Sequence, residues 1–110
     1  MAIRTEEYNR VCVLTVVGEL ANDDADALRQ LIDDRAGEGR PMHLVIDLEK
    51  CTYIDSAGLE ALLAAHRHCD RAGGRLSLAN LDATCRKVLE ITRLARHFEF
   101  HATLAGAMKN

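Results

Sequence analysis

No apolar run in this 110-residue chain approaches the roughly 20 residues that a bilayer-crossing helix requires. Met1–Arg10 also lacks the apolar core of a secretory signal. A cytoplasmic location without direct membrane insertion is therefore expected. Basic residues are not clustered either. The largest group is Arg86-Lys87 and the net charge is −3, so the cationic footprint of a nucleic-acid binder is missing and no nucleic-acid partner is expected. Catalytic signatures are missing as well: there is no G-x-x-x-x-G-K-[ST] phosphate loop, no G-x-S-x-G elbow and no H-E-x-x-H helix. The chain is read as a non-enzyme, without internal repeats or low-complexity segments.

Cysteine is present but not in a framework. Cys12, Cys51, Cys69 and Cys85 each lie in or beside an apolar segment, and none forms a C-x-x-C pair. That pattern predicts buried thiols in a reducing compartment rather than disulfides. His66, His68 and Cys69 carry ring nitrogens and a thiol of the kind zinc prefers. On one helix, however, positions 66 and 69 share a face while 68 points elsewhere, and no second pair stands at ligand spacing. His66 and Cys69 are read as inner-face or boundary residues, with no metal site and no cofactor. With 48% hydrophobic and 28% charged residues, the chain has material for one core. Residues 1–110 are expected to form a single domain.

The hydrophobic pattern alternates between strand and helix. Ile3–Glu7 mixes apolar and charged residues as an exposed edge strand does, and Tyr8-Asn9-Arg10 turns into Val11–Val17. Both alternating sets of Val11–Val17 are apolar, which predicts an inner strand covered on both faces. Asn22 or Asp23 is placed to cap a first helix with Ala25, Leu28, Leu31 and Ile32 on its buried stripe, ending at Gly37 and Gly39 before Pro41. A Leu44–Leu48 strand, a Gly58–Arg71 helix, a Gly73-Gly74 stop and an Arg75–Ala79 strand follow. Asp82 opens a third helix with Cys85, Val88 and Leu89 inward, and Phe98–Ala102 reads as a short strand before a terminal helix. The order β-β-α-β-α-β-α-β-α defines an α/β domain. Its mixed, mostly parallel sheet has four or five strands, with about four helices around it.

The segment His43–Leu59, HLVIDLEKCTYIDSAGL, puts an apolar strand immediately before a serine at a helix start. The first-turn N–H groups of a helix lack partners and, with the macrodipole, favour negative charge there. A phosphoserine at position 56 is compatible with that helix. For a lone serine at a helix start the commoner role is a plain N-cap, supplied by Ser56 or Asp55.

These residues resemble the STAS family of anti-sigma factor antagonists and related modules. The resemblance rests on Asp55-Ser56-Ala57-Gly58-Leu59 after the L-V-I-D-L strand, on Gly18-Glu19-Leu20 as a turn after an apolar strand, and on the order of the later elements. It spans nearly the whole chain, and D-S-A-G-L is its most specific part. It implies a phosphoacceptor at Ser56, a partner-binding loop of Asp55, Ser56, Ala57 and Gly58, and an adjoining surface at Asn22 and Asp23. Antagonists often carry an acidic residue directly after G-E-L, where this chain has Ala21. The partners implied are an anti-sigma factor serine/threonine-protein kinase and a PP2C-type phosphatase. The unphosphorylated protein would bind the kinase and release a sigma factor. The same resemblance admits an alternative, an accessory STAS subunit of a membrane lipid or anion transporter.

Overall fold

The computed structural model describes residues 3–39 and 43–109. Met1, Ala2 and Pro41, which enter the sequence reading, lie outside the described residues. Five strands form one sheet whose spatial order is the chain order: β1 (Ile3–Tyr8), β2 (Val11–Leu20), β3 (His43–Ile54), β4 (Arg75–Ala79) and β5 (Glu99–His101). β1 is antiparallel to β2, and every other neighbouring pair is parallel. The helices are α1 (Asn22–Ala36), α2 (Ser56–Arg71), α3 (Ala83–Ile91) and α4 (Leu104–Met108), with one 3-10 turn at Ala95–His97.

Because the parallel strands are added in one direction, right-handed crossovers place their connecting helices on the same face. The main core agrees. It joins Leu14, Val16, Leu44, Ile46 and Leu48 of the sheet to Leu28 and Ile32 of α1, Leu62 and Ala65 of α2, and Leu89 of α3. The other face has a much smaller cover, in which Val13, Val45 and Ala79 pack against Leu104, Ala107 and Met108 of α4.

Several local signals act as the sequence predicts. Asn9 and Arg10 both have positive φ, as a two-residue type I′ hairpin turn demands. Asp82 caps α3, its Oδ1 accepting the Cys85 N–H at 2.7 Å. Gly73 takes φ 72 after α2, and the Gly74 N–H reaches back to the Cys69 carbonyl, closing the helix with glycine in the left-handed region. All four cysteines are free and buried.

Four expectations are corrected. β3 does not stop at Leu48 but continues to Ile54, with Cys51 and Ile54 buried while Lys50, Thr52 and Tyr53 are exposed. Gly18-Glu19-Leu20 is not a turn. It lies within β2, where Gly18 at φ 94 accompanies a register shift against β3. β2 is an inner strand but is not covered on both faces throughout, since Val17 is 39% exposed beyond the reach of α4. Finally, neither Asn22 nor Asp23 caps α1: the N-cap is Ala21, without a side-chain bond, and Asn22 is the first helical residue.

Candidate functional site

The carboxyl ends of β2 and β3 converge on the starts of α1 and α2. Leu20 and Ile54 are paired in the last step of the parallel ladder, and the Asp55 N–H continues it by donating to the Leu20 carbonyl at 3.3 Å. The chain then turns directly into α2, so Asp55 is the N-cap and Ser56 the first helical residue.

Asp55 uses both carboxylate oxygens. Oδ1 accepts the Gly58 N–H at 2.8 Å, and Oδ2 accepts the Asn22 N–H at 3.3 Å. One side chain therefore serves the opening turns of two helices. It also explains how α1 manages without a local cap, because an acceptor for its first N–H arrives from 33 residues downstream.

With Asp55 occupied, Ser56 is left exposed at the mouth of a 16-residue helix that has no acidic residue in its first turn. The N–H groups of Ser56 and Ala57 have no acceptor within the helix. With the positive end of the macrodipole, they make this helix start favourable to negative charge. Ala57 is half-buried and Gly58 is buried. Gly58 is required by close packing: a side chain there would run into the Leu20 carbonyl and the Ile54 side chain.

Of the residues singled out from sequence, Asp55, Ser56, Ala57, Gly58 and Asn22 are thus brought together, and Asp23 stands exposed next to Asn22. One neighbour was missed. Tyr53, 52% exposed, pairs with the exposed Glu19 at the same end of the sheet, three residues before the serine. The signal for it was the continuation of β3 through a polar stretch.

The three candidate zinc ligands go separate ways. Cys69 is buried in the core, His66 packs its ring near those of His97 and Phe98, and His68 meets Asp33 of α1 at 2.9 Å. Among the described residues no helix is long and apolar enough to cross a membrane.

The sequence model of the STAS domain matches residues 2–107. The chain belongs to the STAS domain family. It is 22% identical over 94 residues to an anti-sigma F factor antagonist of Paenibacillus polymyxa, covering 86% of this chain and 80% of that protein. Its fold is similar to that of an anti-sigma factor antagonist from Mycobacterium paratuberculosis, with TM-score 0.82, 28% identity and coverage of 96% and 89% of the two chains. It is also similar to SpoIIAA, solved unphosphorylated (TM-score 0.78, 23% identity, 94% and 91% covered) and phosphorylated (TM-score 0.75, 24% identity, 92% of each covered). This STAS domain is thus similar to anti-sigma factor antagonists in sequence and in fold.

Proposed function

We propose that this STAS protein is an anti-sigma factor antagonist switched by phosphorylation of Ser56. Unmodified, it binds an anti-sigma factor serine kinase and so frees a sigma factor; phosphorylated, it lets the kinase go. A PP2C-type phosphatase resets it. The observation that carries this reading is the exposed Ser56 hydroxyl at the first position of α2, beside an Asp55 whose carboxylate is already engaged. Likeness to SpoIIAA, whose fold is known with and without phosphate, supports it.

The physics of the switch is local. A phosphate brings about −1.5 to −2 charges and three acceptor oxygens. The helix N-terminus accommodates them, so the fold is retained. A partner packed on Tyr53, Asn22, Asp23 and the Ser56 loop instead meets new charge next to Asp55, and docking is opposed by repulsion and desolvation.

Affinity capture from native lysate with Ser56→Ala and Ser56→Asp baits tests the reading. A kinase held by the alanine bait and reduced at least about tenfold by aspartate is expected. The aspartate bait should also melt within about 5 °C of the parent, since an acidic residue in the first turn is favourable. Transporter subunits retained equally by both baits would overturn the antagonist reading in favour of an accessory transporter subunit.

A further inference from the structure

The opposite ends of the strands hold a second feature. α4 is only five residues long. It covers Val13, Val45 and Ala79, against which the half-buried Val11 also packs, while His43 and Arg75 at the starts of β3 and β4 stay exposed. A cleft of about 420 Å³ opens there, between the β1–β2 turn, the strand starts and the end of α4. Small-ligand sites commonly measure about 300–1,000 Å³.

The cleft is amphipathic in a specific way. Val11, Val45 and Met108 supply apolar walls, with the buried Ser77 between strand and helix. Arg10, His43, Arg75 and Lys109 line the same space, and none of the described lining residues is acidic. In a chain of net charge −3, that is a local reversal of sign. Glu99 already holds Arg75 through a 2.9 Å bond to Nε and a second bond to its terminal nitrogen. Arg10 and Lys109, in contrast, have no ion-pair partner among the described residues. Arg10 is, moreover, kept at φ 73 in a turn position where glycine fits without strain. Holding a non-glycine residue there costs backbone energy.

We propose that this cleft binds a small amphipathic anion, a carboxylate or phosphate monoester carried on a short apolar body. The head group sits between Arg10 and Lys109, and the body lies along Val11, Val45 and Met108. The site lies at the far end of β3 from Ser56, on the order of 30 Å away, and stands independently of the switch.

Nitrogen-15 labelled protein is titrated with decanoate and with decyl phosphate, both below their micelle-forming concentrations, and in parallel with decanol and inorganic phosphate. Saturable amide shifts centred on Arg10, Val45, Ser77 and Met108 are expected with one or both amphiphilic anions, the tighter one assigning the head group. Decanol and inorganic phosphate should each bind at least about tenfold more weakly, because each lacks half of the recognition. The double variant Arg10→Gln, Lys109→Gln should lose at least about tenfold in affinity for the preferred anion at an unchanged melting temperature. Should Arg10→Gln disturb the turn, Arg10→Gly removes the same charge and suits the positive φ. Absence of saturable shifts at these residues with either anion, or equal affinity for decanol or in the charge-removed variant, would overturn the proposal.

Discussion

The α-carbon of Gly58 lies directly against the carbonyl oxygen of Leu20, so that a Cβ on residue 58 would overlap it and press on Ile54 Cγ2 at 2.9 Å. The start of α2 is thereby seated on the ends of β2 and β3. Backbone cannot rotate aside as a side chain can, so Gly58→Ala must displace the helix start. A loss of about 2–3 kcal/mol is expected, seen as a fall in melting temperature of roughly 8–15 °C by circular dichroism. Gly37→Ala is the matched control. It has φ −69 and only ordinary contacts near its Cβ position, and it should be neutral or slightly stabilising.

Asp55 couples two helix starts, and its removal is expected to weaken both. Asp55→Ala should cost about 1–2 kcal/mol in urea unfolding, at the upper end for an N-cap because the Asn22 N–H loses its acceptor too. Asp55→Asn keeps a cap acceptor and should cost less. Amide exchange at Asn22 and Gly58 should quicken together in the alanine variant; acceleration at Gly58 alone would show that the link to α1 contributes nothing.

The buried thiols carry a pH prediction. Burial pushes Cys69 from an ordinary 9.0 up to about 12, and burial together with the Asp82 carboxylate does the same to Cys85. Since the fold favours the protonated thiol, this contribution to stability is complete below pH 9 and is lost as pH rises toward about 12. Urea midpoints should therefore hold steady from pH 7 to 9 and fall above it, less steeply in Cys69→Ala relative to its own neutral-pH value. At neutral pH a disulfide reagent should titrate four thiols promptly in urea and react far more slowly with the native protein.

Much of this site was legible because its rules are local. D-S-A-G-L contains its own cap, an exposed serine and the one residue without a Cβ where backbone meets backbone. The mixed, mostly parallel character of the sheet followed from the alternation of elements, whereas its strand order did not. What escaped the sequence depended on distant groups. The cap residues expected of Asn22 and Asp23 were not needed, because the first amide of α1 bonds to Asp55. The polarity of Glu49–Tyr53 hides the second half of β3, yet the inward Cys51 and Ile54 keep it on the sheet. The exposure of Val17 is hidden because nothing in its own strand reveals that α4 spans five residues. The basic cleft was equally hidden, its lining contributed by residues from Tyr8 to Lys109.

The strand order β1-β2-β3-β4-β5 also bears on how the chain acquires its structure. No strand has to be inserted between two that have already paired. The hairpin of β1 and β2 presents an open edge, β3 extends it, and each later strand finds its place beside the one synthesised just before. Loop-closure costs are thus met one crossover at a time. A nascent chain can begin assembling its sheet from the N-terminus during translation, and the growing edge is always the newest strand.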